Sequence, residues 1–390
     1  MANSINMKNF GKIVFTLVLA ISINVGLAQQ FLENELKQNK TYVLLAHPTV
    51  QNIQTIHFML NNKILNLSDV EFVGVYSAAE SYDYNQSIAL IKKPEMSLFH
   101  LQKIDIEESP AKIYMHNEWT KTFKNLFNHS VGIFFFGGPD IQPEIYGQKN
   151  IHSEVTDPNR HLFEVSFLFH LLGGKQNAAF IPFLNDKPGY FVTGFCLGLQ
   201  SINVATGGTL TQDIPAQTYK KNNAEETLKL KKDQLHRNYW QEISKDTLLM
   251  GINFHPIQYT AHPFFLKKVK ADKKVIPIVL SSHHQSIEEL GKDMIVTATS
   301  MDGQVIEGIQ HRLYPNVFAV QFHPEVPALY KEGKKLKFAP DDTPKSYFEI
   351  ISEEDREFHL KYWLTISKAI KSSIRLQKLS NPSSPSIRVR

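Results

Sequence analysis

Short, continuously apolar runs rich in β-branched and aromatic residues recur along the 390-residue chain, at 41–46, 70–76, 131–136, 190–193, 275–281, 294–299 and 317–322. They lack the strict alternation of a half-exposed strand, so each predicts a strand buried on both faces. Helical periodicity occupies intervals between them, at 50–60, 117–127, 160–172 and 198–205. This alternation specifies an α/β fold: a mostly parallel sheet with helices on both faces. Ligands of such sheets bind beyond the carboxyl ends of the strands, so functional residues are sought just after strands.

The rhythm breaks over residues 217–274, where a charged run at 220–232 precedes His236 and the stretch 253–259. This reads as an insertion before the next motif-bearing strand, either packed near the site or peripheral. Ser352 with Asp355 forms a capping-box-like start for a closing helix, whose apolar stripe Phe358, Tyr362, Ile366 and Ile370 belongs in the core. Residues 378–390 are polar with Ser and Pro and predict a disordered tail, which leaves 29–377 as the folded domain.

Residues 1–28 read as a secretory signal peptide: Lys8 and Lys12, an apolar run at 13–23, then Gly26 and Ala28 before a cut at Gln29. The apolar run is well short of the roughly 20 residues that cross a bilayer, and the leader has no cysteine for a lipid anchor. The expected location is periplasmic or secreted, with no membrane contact once the leader is removed. Formal net charge is +4, but Lys8, Lys12, Lys378, Arg388 and Arg390 lie in the leader or tail, and the remaining body is nearly neutral. That gives no electrostatic footprint for nucleic acid. Asn39, Asn66, Asn85 and Asn128 each begin an Asn-x-Ser/Thr sequon, relevant only where the host glycosylates.

The single cysteine, Cys196, forbids an internal disulfide. It sits in Gly194-Phe195-Cys196-Leu197-Gly198, directly after a predicted strand and before a helix. Glycines two residues either side permit the sharp turn of a nucleophile elbow, and the positive helix end favours a thiolate. His323 leaves the end of the 317–322 strand, and Glu325, two residues on, is placed to hold its imidazole as a base. The strand at 131–136 ends in Gly137-Gly138, where a backbone N–H is free to turn toward the nucleophile. Gly138 and Leu197 are the candidate oxyanion donors. Three such motifs after three separate strands describe a cysteine hydrolase.

These residues carry a resemblance. Gly137-Gly138-Pro139-Asp140, the elbow through Gln200, Thr206-Gly207-Gly208-Thr209, Ser281-Ser282-His283-His284-Gln285 and Phe322-His323-Pro324-Glu325 stand in the order found in class I glutamine amidotransferase-like proteins. The sequence most resembles the branch of γ-glutamyl hydrolases and γ-glutamyl-γ-aminobutyrate hydrolases, over 41–325 apart from the expected insertion. The resemblance implies a flavodoxin-like fold, a triad of Cys196, His323 and Glu325, and a small γ-glutamyl substrate. Gln200, Ser281, His283, His284 and Gln285 are the expected substrate-binding residues. Two positions depart from that branch: Leu280 stands where it usually has Asn, and Arg160-His161 where it usually has Arg-Asp. Arg160 either attracts a substrate carboxylate or faces solvent. No His-Glu-x-x-His or close Cys/His spacing is present, so no metal and no organic cofactor is expected. The rival readings are an inactive binding or structural protein on the same fold and a glutaminase-type amidotransferase subunit; homodimerisation is left open.

Overall fold

A computed structural model describes residues 40–106 and 109–380, so the expected leader lies outside the described residues. The first half of the chain alternates as expected. It runs β1 (Thr41–Ala46), α1 (Val50–Asn61), β2 (Val70–Ser77), α2 (Asn85–Ile91), β3 (Phe99–Ile104), α3 (Thr120–Asn128), β4 (Gly132–Phe135), α4 (Pro158–Leu172), β5 (Phe191–Phe195) and α5 (Leu197–Ala205). The second half is richer in strands: β6 (Leu210–Thr211), β7 (Asn253–Tyr259), β8 (Ile278–Ser281), β9 (Ser286–Ile287), β10 (Met294–Ser300), β11 (Ile306–His311) and β12 (Val317–Val320). A long helix, α6 (Glu353–Ser380), closes the chain.

The main sheet has the order β3-β2-β1-β4-β5-β12-β11-β10-β7-β8. From β3 to β12 every pairing is parallel; from β12 to β8 every pairing is antiparallel. Strand β1 shows how both faces are buried. Leu44 and Ala46 join the apolar cluster formed with α3, α4 and α5, whereas Val43 and Leu45 join the opposite cluster with α1 and α6. Successive side chains of a strand alternate faces, so a strand apolar at every position serves two helical layers at once.

The stretch 217–274 is not uniformly an insertion. Its earlier part forms short helical turns at Ala224–Thr227 and Trp240–Ile243, but Asn253–Tyr259 enters the main sheet as β7, between β10 and β8. Pro256 lacks the N–H that a strand paired on both sides needs. The register explains its presence: β8 pairs with residues 253–256 and β10 with residues 257–259, so no β10 partner faces Pro256.

The closing helix begins as expected. The Ser352 N–H donates to Asp355 Oδ2 (3.0 Å) and the Asp355 N–H donates to Ser352 Oγ (3.1 Å). Phe358, Tyr362, Ile366 and Ile370 are all buried beneath it. The helix continues through Ser380, so residues 378–380 belong to it rather than to a disordered tail.

Candidate active site

Strands β5 and β12 are parallel neighbours in the middle of the sheet, and Cys196 and His323 leave their carboxyl ends. Cys196 has φ 51° and ψ −106°, a left-handed conformation that a side-chain-bearing residue adopts only when the surroundings enforce it. The enforcement is visible. The Cys196 N–H donates to Val320 O (3.0 Å), and its carbonyl accepts from Leu199 and Gln200 at the start of α5 (3.0 and 3.2 Å). A Cβ on Gly194 would collide with the Gly198 backbone, and one on Gly198 with the Phe135 carbonyl. Both flanking glycines are therefore required by close approach, as the elbow reading expects.

His323 and Glu325 form a pair at 2.7 Å through Nδ1 and Oε1. Burial works to strip the proton from the imidazole, but the Glu325 carboxylate and the Cys196 sulfur outweigh it and hold His323 well above the ordinary histidine range. Gly137, at the end of β4, lies against this pair: a Cβ there would stand 2.9 Å from His323 Cε1 and 3.7 Å from Cys196 Cβ. One on Gly138 would stand 2.8 Å from Leu197 Cδ2. The three sequence motifs thus meet at one point, above adjacent strand ends.

Arg160 neither faces solvent nor is open to a substrate carboxylate; its side chain is buried, 2% exposed. Its Nε donates to Glu164 Oε1 (2.8 Å), and its Nη2 donates to the carbonyls of Phe136 (3.0 Å) and Gly137 (3.2 Å). In a planar trans peptide the C=O and N–H point opposite ways, so fixing the Gly137 carbonyl on Arg160 turns the Gly138 N–H away from it. Arg160 is a positioning residue for this loop. The neighbouring His161 is buried, and burial, followed by the Arg160 charge, lowers its pKa to about 3.

The expected substrate-binding residues separate into distinct environments. Gln200 Nε2 donates to Gln321 Oε1 and to the Gln285 carbonyl, both at 3.4 Å, and Gln321 Nε2 in turn approaches Cys196 Sγ at 3.6 Å. Gln200 therefore touches the nucleophile through Gln321, a residue the sequence reading did not single out although it lies two positions before His323. Gln285 Nε2 donates to Ser153 Oγ (2.7 Å). His284 is clamped between Asp213 (3.0 Å) and Asp140 (2.9 Å), which raise its pKa to about 9 against the opposing effect of burial. Ser281 and His283 are buried and face another cluster: the Ser281 hydroxyl meets His255 Nε2 (2.8 Å), and His283 Nδ1 donates to Gln285 O (2.8 Å). Leu280, the other departure, packs with Met250, Phe254, Leu329 and Ile351, while its carbonyl accepts the His323 N–H (2.9 Å).

The sequence model of the family described as Peptidase C26 matches residues 107–325. The glutamine amidotransferase-like protein YvdE of Lactococcus lactis is 28% identical over 207 residues, covering 53% of this chain and 70% of its own. Protein NtpR of Enterococcus hirae is 33% identical over 194 residues, covering 49% of this chain and 64% of its own. The match to Peptidase C26 ends on Glu325 and includes Gly138, Cys196 and His323.

Proposed function

The chain belongs to the peptidase C26 family, within the class I glutamine amidotransferase-like proteins, and on that premise we propose that it is an exported cysteine hydrolase of γ-glutamyl amide bonds. The observation that carries the reading is the convergence of a strained, buried Cys196, a His323–Glu325 pair and the Gly137-Gly138 turn at the ends of neighbouring strands.

In this reading Cys196 Sγ attacks the γ-carbonyl carbon, and His323 first accepts the thiol proton and then delivers it to the departing amine. The N–H groups of Leu197 and Gly138 receive the oxyanion. Water, deprotonated by His323, then opens the thioester and releases glutamate. Glu325 keeps Nδ1 of the imidazole occupied, which leaves Nε2 to exchange the proton. The fixed glutamyl half of the substrate is assigned to polar groups around Gln200 and Gln285, and the variable amine to segments of 217–252.

The test is a matched panel of γ-glutamyl and α-glutamyl amides assayed by kcat/KM, with Cys196→Ala as the control. Cleavage confined to γ-linked substrates, lost in Cys196→Ala, is the expected result. Equal cleavage of α-linked substrates refutes the γ-glutamyl assignment, and failure of a mild thiol electrophile to label Cys196 stoichiometrically favours the inactive binding protein instead.

A further inference from the structure

Four buried side chains on separate segments, none of them a member of the triad, converge: His236 in the 217–252 stretch, His255 on β7, His283 after β8 and Glu307 on β11. Each offers one ligand atom, and these atoms all lie within 4.8 Å of one another. The imidazole of His236 is 4.5 Å from that of His255 and 4.9 Å from that of His283, centre to centre. Glu307 Oε1 is 3.2 Å from His236 Nδ1, 3.7 Å from His255 Nε2 and 3.9 Å from His283 Nε2. It is thus the common neighbour of all three rings.

The hydrogen bonding around this group is incomplete in a particular way. Both nitrogens of His236, Nε2 of His283 and both oxygens of Glu307 are buried without a hydrogen-bond partner. Burying such groups unsatisfied is unfavourable, most of all for a carboxylate. The outward nitrogens, by contrast, are engaged: His255 Nδ1 meets the Pro256 carbonyl (3.1 Å) and His283 Nδ1 the Gln285 carbonyl (2.8 Å). A carbonyl cannot donate, so each Nδ1 carries the proton and each Nε2 is left as an acceptor, that of His283 facing Glu307 and that of His255 taking the Ser281 hydroxyl at 2.8 Å. Outer carbonyls that fix the tautomer while the inner nitrogens face a common point are the arrangement of metal-ligating histidines.

We propose that His236, His255, His283 and Glu307 form a structural site for one divalent transition-metal ion, Zn2+ by preference. Three imidazoles and one carboxylate supply a full tetrahedral set of borderline donors, which suits zinc and leaves no position for a substrate. Ligation through His255 Nε2 requires the Ser281 hydroxyl, 2.8 Å from that nitrogen, to give up this contact. Because His236 lies in 217–252 and Glu307 on β11, the ion fastens that stretch to the sheet, one strand beyond the one that leads to His323.

The test uses the full chain. Elemental analysis of the purified protein, followed by chelator stripping and titration with Zn2+ alone, is expected to give one equivalent of zinc per chain. Re-addition at about 100-fold above Kd should raise Tm by roughly 4 °C. Co2+ in its place should give the intense visible bands of a four-coordinate site, and His236→Ala and Glu307→Gln should each abolish stoichiometric uptake. A wild-type chain that stays folded after stripping, takes up well under one equivalent and shows no Tm change overturns the proposal and leaves these atoms to water. Since the wild-type measurement decides alone, a variant that fails to fold does not protect the idea.

Discussion

Replacing Arg160 with Met keeps much of its length but removes its charge and its donors, and the structure separates two consequences. The first is stability. Arg160 and Glu164 are 2% and 1% exposed, so the single variant strands a buried carboxylate, a loss of about 3–5 kcal/mol. That is a large part of the roughly 5–15 kcal/mol that holds a domain folded. Burial already pushes the Glu164 carboxyl up, and the Arg160 charge is the main influence opposing it. Without that charge the folded-state pKa rises further above its unfolded value. Stability of Arg160→Met should therefore be greatest below the ordinary glutamate pKa and fall as pH rises through the raised one, as followed by urea titrations at a series of pH values. The double variant Arg160→Met/Glu164→Leu removes both charges, recovers most of the loss and flattens the pH dependence. The second consequence is catalytic. Neither variant can hold the Phe136 and Gly137 carbonyls, so the Gly137-Gly138 peptide is free to turn. Losing one oriented oxyanion donor costs about 100- to 1000-fold in kcat. The double variant, verified as folded, should show that drop with KM changed only severalfold. Wild-type kcat in a folded double variant would refute the positioning role.

Three further outcomes follow from other contacts. Glu325→Gln removes the carboxylate that keeps the His323 proton in place, so the imidazole pKa falls and the alkaline limb of the kcat/KM profile should move to lower pH; an unmoved limb would disconnect Glu325 from the base. Gly198→Ala drives a methyl group into the Phe135 carbonyl, and a drop of about 1–3 kcal/mol in urea stability with displaced elbow geometry and reduced activity is expected; a fully stable, fully active variant would contradict the close approach. Mass spectrometry of protein recovered from the exported fraction should find Gln29 at the amino terminus, whereas an intact Met1 there would sink the leader reading.

What the sequence makes legible is set by how locally each feature is encoded. The elbow could be read because Gly194, Cys196 and Gly198 act on one another within a single turn, and the pair His323 and Glu325 because two residues separate acid from base. Strands β1, β2, β4 and β5 could be read because burial on both faces leaves an unbroken apolar run. Strands β7 and β11 could not, since each carries buried polar residues that look like loop or surface in one dimension: Asn253 and His255 in the first, Glu307 and Gln310 in the second. The same property hid the cluster around Glu307, whose members are far apart in the chain and meet only through the antiparallel half of the sheet. Ser281 and His283 show the cost of reading a motif as a unit. Consecutive residues leaving a strand point to different sides, so His284 reaches Asp140 beside the oxyanion turn while His283, its neighbour, turns inward to Glu307. A five-residue stretch can thus serve two centres, and only side-chain direction, not proximity in sequence, assigns each residue to one of them.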